Sequence, residues 1–331
     1  MGARILLDHG EGGAASARLV SEVFLRWLGA PPVLEDAAVV PGAPRLAIST
    51  DSFVVRPPFF PGGNIGKLAV CGTVNDLAMM GATPRYLTCA FILEEGLELD
   101  ELDKIVAAMA ATAAEAGVTV VAGDTKVVGR GEVDGVFINT TGVGFVPQDV
   151  TLSAGACQPG DRVLVSGPIG DHGTAVMLAR EGFGIQSDLV SCCQPLADLA
   201  AVVLEVAPGL RCMRDPTRGG LATTLLELCE ASNVGIVLSE AALPIRRQVR
   251  AATDLLGLDP LYVACEGRLI AVVPDHQADA ALAAMRAHPR GVGAAIVGAV
   301  VEAPAKLVLE TGMGGRRPLV ALEGAQLPRI C

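Results

Sequence analysis

Aromatic residues are scarce in this chain, which has only 8 Phe, 2 Tyr and 1 Trp among 331 residues. Charged residues are also few, at 18%, whereas hydrophobic residues make up 51%. A disordered chain has the opposite composition, so that class is excluded. No apolar run approaches the roughly 20 residues that span a bilayer, and Asp8 comes too early for the apolar region of a signal peptide. We therefore expect a cytoplasmic globular protein, with about two domains at about 150 residues each.

Basic clusters are absent as well. Asp and Glu number 36 against 25 Lys and Arg, which gives a formal charge of -11, and the densest basic pairs are Arg246-Arg247 and Arg316-Arg317. Binding to a nucleic-acid backbone needs a concentrated basic surface, so nucleic acid is not an expected partner. A polyphosphate would have to be held by metal and backbone N–H groups.

Cysteine is present nine times, but no C-x-x-C pair occurs, so neither a zinc ribbon nor a thioredoxin motif is predicted. Eight of the nine stand within the chain, mostly in apolar surroundings, and we expect them to be small buried hydrophobes. Cys331 differs because it is the last residue, which no core easily encloses.

Strand-like and helix-like runs alternate along the chain. Apolar spacing predicts strands at 46–50, 86–93, 118–122, 136–146, 162–166, 235–238, 268–273 and 294–301. It predicts helices at 64–80, 100–116, 173–180, 196–206, 221–231 and 277–287. A break falls near 147–161, and no short-period repeat is present, so we expect two α+β domains rather than a solenoid. The last residues, 323–331, are predicted to form an extended, mobile tail.

Four segments place an aspartate at the expected end of a strand or in a turn, and these are Asp36, Asp51, Asp76 and Asp124. Carboxylate oxygens are the ligands that Mg²⁺ prefers, so a converging set suits a metal–nucleotide site. One such segment alone would be better explained as a turn cap. Four of them favour metal binding.

Phosphate-binding loops of the common kinds are missing. No G-x-x-x-x-G-K-[ST] sequence occurs, and no G-x-G-x-x-G follows a strand. A Gly-rich stretch, His9-Gly10-Glu11-Gly12-Gly13, opens the chain and has the flexibility to bring backbone N–H groups to phosphates. That signal is weak when taken alone.

Three further polar residues stand near predicted element ends in the second half. Asp215 begins Asp215-Pro216-Thr217-Arg218-Gly219-Gly220, which runs into a helix and either forms an anion site or merely caps that helix. His172 follows a strand in Gly170-Asp171-His172-Gly173 and is either a catalyst or a turn residue. Glu266 precedes a strand and is either a general base or a solvated loop residue.

These segments, in this order, resemble the HypE family of hydrogenase maturation factors. That family belongs to the superfamily of aminoimidazole ribonucleotide (AIR) synthetase, thiamine-monophosphate kinase and selenophosphate synthetase. The resemblance covers essentially the whole chain and rests on His9-Gly10-x-Gly12-Gly13, Ser49-Thr50-Asp51-Ser52, Phe59–Gly66, Gly123–Val128, Gly170–Gly173, Asp215-x-Thr217-Arg218-Gly219-Gly220 and Pro328-Arg329-Ile330-Cys331. The Pro-Arg-Ile-Cys terminus is the most specific of them.

The resemblance implies an AIR synthetase-like α+β fold of two domains whose N-terminal domain pairs strands across a homodimer in a β-barrel-like interface. Its implied regions are a nucleotide-covering segment (1–45), an ATP-binding and dimerisation domain (46–150), a C-terminal α+β domain (151–322) and a flexible tail (323–331). The implied activity is the ATP-dependent dehydration of an S-carbamoyl group on Cys331 to a thiocyanate. The implied partners are HypF, which supplies the carbamoyl group, and the HypC–HypD scaffold, whose iron receives the cyano group.

The resemblance also implies roles for individual residues. Cys331 carries the substrate, Glu266 acts as the base and Lys126 stabilises the transferring phosphoryl group. The implied Mg²⁺ ligands are Asp36, Asp51, Asp76 and Asp124. The implied ATP-binding residues are His9, Gly10, Gly12, Gly13, Asp51, Asn75, Asp76, Gly123, Asp124, Thr125, His172 and Asp215, and Asp215 and His172 stay open as alternatives for the base.

Two other functions stay open from the residues. A superfamily kinase acting on a free small molecule would share the aspartates without needing Cys331. A non-catalytic scaffold for a metal complex would use the cysteines and ignore ATP.

Overall fold

The computed structural model describes residues 4–11, 13–29, 37–180, 187–304, 306–322 and 329–331. Its first half contains four α-helices and six strands within those ranges. In chain order they are α1 (Ala14–Leu19), α2 (Leu25–Leu28), β1 (Leu46–Phe53), β2 (Phe59–Phe60), β3 (Gly63–Asn64), α3 (Ile65–Met79), β4 (Thr83–Glu94), α4 (Leu99–Ala116), β5 (Thr119–Val128) and β6 (Val136–Phe145).

The N-terminal sheet has the strand order β1-β6-β4-β5, in which only the β4–β5 pair is parallel. Helices α3 and α4 pack against each other and against this sheet. Asn64 begins α3 because its Oδ1 accepts the backbone N–H groups of Gly66 and Lys67, at 3.0 and 3.1 Å. Gly117, with φ +68°, ends α4 as the sequence predicts.

The other face of this sheet carries exposed apolar side chains. Ile48 on β1 is 68% exposed and Ile92 on β4 is 41% exposed. In the described ranges β1 and β5 each pair with a single neighbour, so both edges of the sheet offer free backbone groups. An uncovered face with two open edges is a surface on which another sheet can close.

The second half contains a larger sheet. Its elements are β7 (Arg162–Val165), α5 (Asp171–Leu178), α6 (Ala197–Val206), β8 (Cys212–Arg214), α7 (Gly220–Ser232), β9 (Gly235–Ser239), α8 (Arg247–Leu256), β10 (Ile270–Val273), α9 (Asp275–Ala287), β11 (Ala295–Val301), β12 (Leu307–Glu310) and β13 (Arg316–Leu319). The strand order is β13-β12-β9-β11-β7-β10-β8. Apolar side chains from α6 and α9 fill one core with this sheet, and those from α7 fill another.

The structure adds helices near the N-terminus to those predicted, and it contradicts one expectation, the placement of Asp124. The opening segment, 1–45, holds helical residues 14–28, where Phe24 packs against Phe91 with ring centroids 4.9 Å apart. Strand β5 runs on to Val128, so Asp124 lies inside a strand rather than in a turn after one. Pairing with β4 carries the strand through this region, because Cys89 and Ala90 stand opposite Gly123 and Asp124.

The eight internal cysteines are buried, which confirms the prediction made for them. None of the helices in the described part of the chain is long and apolar enough to cross a membrane.

Candidate active site

Four acidic side chains and the terminal thiol interact where the two halves of the chain meet, a region called the cleft below. This cleft cluster consists of Asp51 on β1, Asp76 on α3, Asp215 after β8, Glu266 before β10, and Cys331. The loops that carry Asp215 and Glu266 are joined by a backbone hydrogen bond from Cys265 N–H to Pro216 O, at 2.9 Å. The tertiary structure therefore unites residues that lie 280 positions apart at its extremes, from 51 to 331.

Asp51 and Asp76 are neighbours in this cluster. The backbone N–H of Ser52 donates to Asp51 Oδ1 at 2.8 Å, and Ser49 Oγ donates to Asp76 Oδ2 at 2.5 Å. Burial raises the pKa of both carboxyl groups, and the charge of Asp76 raises the pKa of Asp51 further.

Asp215 and Glu266 lie deeper among the acids. Burial, followed by the charge of Asp76, raises the pKa of Asp215 to about 7. Burial, followed by the charge of Asp215, raises the pKa of Glu266 well above its ordinary value. Glu266 is 3% exposed, and its Oε1 has no hydrogen-bond partner among the described residues. Such an unpaired buried oxygen indicates a missing partner, either a ligand or a cation.

Cys331 is half-buried in this cleft, which overturns the expectation that nothing would enclose the last residue. The preceding Ile330 is 3% exposed and belongs to the N-terminal core. Burial, then the charge of Glu266, raises the pKa of the Cys331 thiol to about 12. Residues 323–328, the rest of the predicted tail, lie outside the described residues.

Arg218 is a cleft residue to which the sequence analysis assigned no role. Its charge lowers the pKa values of Asp51, Glu266 and Cys331, so it faces all three groups. It stands one residue before Gly219 and Gly220, which adopt φ +79° and +61° at the start of α7. Those left-handed glycines turn the chain sharply. In the sequence, an arginine directly before a Gly-Gly pair was therefore a signal for a functional residue.

Two residues predicted to bind the cofactor are instead buried inside the protein. Asn75 is 1% exposed; its Oδ1 accepts Leu196 N–H at 2.8 Å, and its Nδ2 donates to Gln194 O and Glu266 O, at 3.1 and 3.4 Å. Asn75 therefore ties α3 to the loop of Glu266.

His172 is fully buried, and its ring is occupied by protein groups. Its Nδ1 lies 2.8 Å from Ser191 Oγ and its Nε2 lies 3.0 Å from Ile330 O. Burial lowers its pKa to about 4, so the ring is neutral near pH 7. A neutral imidazole with both nitrogens engaged is placed to hold the tail rather than a cofactor.

A second set of predicted residues lies along β5. This edge group consists of His9, Gly10, Gly123, Asp124, Thr125 and Lys126, which line a cavity of about 330 Å³ between β5 and the N-terminal helices. Lys126 Nζ donates to Asp124 Oδ1 at 2.9 Å, and this bond lowers the pKa of Asp124. Gly10 packs on β5 so closely that a Cβ would come 2.7 Å from Val127 N. Gly13 precedes α1.

The cleft cluster and the edge group are separate within one chain. In register, Asp51 pairs with Thr140, Thr140 with Cys89, and Cys89 with Gly123. Three steps between strands of about 4.8 Å each put the two groups about 14 Å apart. Asp124 therefore lies at the opposite edge of the sheet from Asp51, and the shared metal site of these aspartates stays a prediction.

Two other predicted residues, Gly12 and Asp36, lie outside the described residues. Across the part of the chain that is described, no three His, Cys, Asp or Glu side chains converge on a common metal position.

The two sheets and the cleft between them define a two-domain protein of the AIR synthase related class. The family model for the N-terminal domain of AIR synthase related proteins matches residues 34–146, and the model for their C-terminal domain matches residues 158–309. These matches confirm the two-domain α+β fold predicted from the sequence.

Within that class, several full-length relatives and solved structures carry the name HypE. The carbamoyl dehydratase HypE of Azotobacter vinelandii is 53% identical over 329 residues, covering 98% of this chain and 96% of that protein. A hydrogenase maturation protein HypE solved in complex with ATP superposes with a TM-score of 0.94 at 49% identity, covering 98% of this chain and 99% of that one. The HypE of a solved HypE–HypF complex gives a TM-score of 0.81 at 43% identity, covering 93% and 99%. The chain belongs to the HypE family of carbamoyl dehydratases.

Proposed function

We propose that this chain uses ATP to dehydrate an S-carbamoyl group on its own Cys331 to a thiocyanate. The product supplies the cyanide ligand of iron during [NiFe]-hydrogenase maturation. The dehydratase names of full-length relatives and the ATP complex of a similar HypE support this function. The observation that carries it is the position of Cys331, whose thiol lies inside the acidic cleft near Glu266.

The chemistry explains why ATP is required. A primary amide dehydrates poorly because its oxygen would have to leave as oxide or hydroxide. Transfer of the γ-phosphoryl group to the carbamoyl oxygen breaks the terminal P–O bond of ATP and makes that oxygen part of a phosphate leaving group. Loss of the two N–H protons, with cleavage of the C–O bond, completes the C≡N bond. The products are the thiocyanate, ADP, phosphate and one net proton.

Glu266 is the base in this proposal. Its unpaired Oε1 and its charge interaction with Cys331 support a role in removing the carbamoyl N–H protons. A raised pKa makes its carboxylate a stronger base, and the charge of Arg218 favours that carboxylate form. His172 is excluded as the base because both its nitrogens are already engaged.

The cleft suits a bound Mg²⁺. Asp51, Asp76 and Asp215 supply hard carboxylate oxygens. Burial, and then repulsion by Asp76, raises the pKa of Asp215 to about 7. A divalent cation relieves that repulsion. When bound, Mg²⁺ neutralises charge on the phosphates, while the protein residues orient the nucleotide beside Cys331.

A homodimer would complete the nucleotide site. The open edges β1 and β5, together with the exposed apolar face that carries Ile48 and Ile92, suit the pairing of two sheets into a closed barrel. Two-fold closure of that kind would set β5 of one protomer beside β1 of the other. Asp124 and Lys126 would then approach the cleft cluster of the partner, and Lys126 would stabilise the transferring phosphoryl group.

HypF and the HypC–HypD scaffold are the proposed protein partners. The solved complex of a similar HypE with HypF supports the first of them. The second rests on the family resemblance, and the cyano group does need an iron acceptor outside this chain. The cytoplasmic location predicted from the sequence stays a prediction.

Mass spectrometry of the intact chain tests this function. After incubation with carbamoyl phosphate, ATP and HypF, Cys331 should first gain one carbamoyl group and then lose the mass of one water. Cys331→Ser, the matched control, should bind ATP with unchanged affinity and form no thiocyanate. A small-molecule kinase would be unaffected by this substitution, so retained maturation activity in the variant would sink the dehydratase assignment.

A further inference from the structure

The last three residues lie beside the stretch of chain that follows β1. The N–H of Val54 donates to Cys331 O and that of Arg56 donates to Arg329 O, both at 3.2 Å. Arg329 has φ +53°, a conformation that residues other than glycine rarely adopt. Such a conformation persists where the surrounding side chains hold it.

His172 holds the tripeptide from the C-terminal half. A carbonyl oxygen only accepts, so Nε2 carries the proton and donates to Ile330 O at 3.0 Å. In the neutral ring Nδ1 then accepts from Ser191 Oγ at 2.8 Å, and Ser191 Oγ in turn accepts Cys193 N–H at 3.0 Å. Phe60 meets the ring edge-on with 5.4 Å between centroids. Every polar atom of the imidazole is therefore assigned, and its orientation is fixed.

Asp134 holds the tripeptide from the N-terminal half. Its Oδ2 accepts from Arg329 Nη1 at 2.7 Å and from Arg56 Nη1 at 2.6 Å. Arg180 Nη2 donates to Arg329 O at 2.9 Å, and Arg329 Nε donates to Val54 O at 3.0 Å. Charged hydrogen bonds of this kind are the stronger ones in proteins.

The docked position suits one step of the reaction and hinders the other. With Ile330 in the core and Cys331 half-buried, the thiol lies inside the cleft where dehydration would occur. A half-buried thiol held against the cleft acids is poorly accessible to a carbamoyl donor that is bound to another protein. The chain must therefore release the tripeptide to load it and dock it to dehydrate it.

We propose that His172 and Asp134 are positioning residues that set the balance between the docked and the released tripeptide. This inference rests on the proposed function for its consequence, although docking itself is a property of the free chain. Weakening either contact should favour loading of Cys331 and slow its dehydration.

Alkylation of Cys331 by iodoacetamide on the full chain measures the released fraction, because the other eight cysteines are buried. Asp134→Asn should raise the rate roughly tenfold, the factor expected for loss of a charged hydrogen bond. Asp149→Asn is the matched control, since Asp149 is exposed and the charge change is identical. Equal rates in the two variants would overturn the role of Asp134.

His172→Asn and His172→Gln form a second pair. Asn keeps a polar group near the Nδ1 position but is too short to reach Ile330 O, whereas Gln places an N–H near the Nε2 position. Asn should raise the alkylation rate roughly fivefold, as for a neutral hydrogen bond, and Gln should stay near the wild-type rate. If both variants alkylate alike, the assignment of His172 is wrong. Should neither variant fold, Ser191→Ala removes the hydrogen bond that orients the ring for Ile330 O, and an unchanged alkylation rate in that variant would overturn the role of His172.

Two assays separate this inference from the proposed function. In Asp134→Asn, single-turnover loss of water from carbamoylated Cys331 should slow while loading by HypF accelerates. Faster alkylation without any water loss in the wild type would reject the dehydratase and leave the positioning role standing. Water loss in the wild type with unchanged alkylation in every variant would support the dehydratase and reject the positioning role of His172 and Asp134.

Discussion

The cleft cluster and the edge group contain the same residue types in opposite environments. Glu266 is buried with an unpaired oxygen, and burial raises the pKa values of all four cleft acids. On β5, Asp124 and Lys126 are 62% and 64% exposed and pair with each other, which lowers the pKa of Asp124. The cleft acids repel one another, whereas Asp124 is paired with Lys126.

This difference shows how the two groups contribute to function. Buried acids that repel one another cost stability, so their presence indicates a ligand or a reaction that uses them. An exposed ion pair contributes little by itself. Because the pair lies on an open strand edge, it can contribute to catalysis only when a second protomer brings its own cleft next to that edge.

The largest effect is expected from removing the base in the cleft. Glu266→Gln keeps the size of the side chain but cannot take a proton, so dehydration should slow by about 10²- to 10⁴-fold. Single-turnover loss of water from carbamoylated Cys331 measures this rate. Glu205→Gln on the exposed side of α6 is the control and should behave as wild type. An unimpaired Glu266→Gln would transfer the base role to Asp215.

Mixed dimers test whether the two groups act together across protomers. Asp51→Asn and Asp124→Asn should each inactivate the homodimer, because each site would lose one of its halves. After subunit exchange at equal amounts, about a quarter of the wild-type rate should return, since half of the dimers are mixed and each of these has one intact site. Sites confined to single chains would give no recovery at all.

The buried, neutral His172 should make the free energy of unfolding depend on pH, unlike an exposed histidine. Its pKa falls from 6.5 to about 4 on burial. Between these values the unfolded chain binds a proton that the folded chain does not, so this group destabilises the fold as pH falls through that window. The free energy of unfolding of the wild type should therefore lose about 2 to 3 kcal/mol relative to His172→Gln between pH 7 and 4.5. Denaturant unfolding of both proteins gives the difference, in which the shifts of the acids cancel. Parallel curves would contradict a buried neutral ring.

A smaller effect is expected from Asn75, which should support the cleft without contacting the nucleotide. Asn75→Ala should destabilise the protein by about 2 kcal/mol, because it leaves buried backbone groups unpaired. ATP affinity, measured by calorimetry, should change little. Gln248→Ala, which removes an exposed amide on α8, should leave both quantities unchanged. Loss of ATP affinity without loss of stability in Asn75→Ala would restore the ligand role predicted from the sequence.

Much of the fold could be predicted because its signals are local. The spacing of Leu102, Ile105 and Met109 predicts one buried face of α4, and all three are fully buried. The short helices α1 and α2 were missed, since they follow a Gly-rich stretch that reads as a loop. The pattern also stopped β5 early at 122, because small and polar residues continue that strand only through pairing with β4.

The candidate site was harder to predict than the fold. Its residue types were found, including Glu266 and Cys331, because charged and terminal residues stand out in an apolar sequence. Their grouping was not, because strand order is a non-local property that put Asp51 and Asp124 on opposite edges. Asn75 and His172 looked like ligands in sequence since the same polar atoms that bind a cofactor also satisfy buried backbone groups.

The amino-acid sequence by itself determined the α+β character, the burial of eight cysteines and the presence of a thiol at the last position, since each depends on composition or on neighbours along the chain. Only the tertiary structure decided that this thiol turns inward beside Glu266, and that His172 and Asp134 hold it there. Those contacts join residues more than 150 positions apart, for which no local pattern exists.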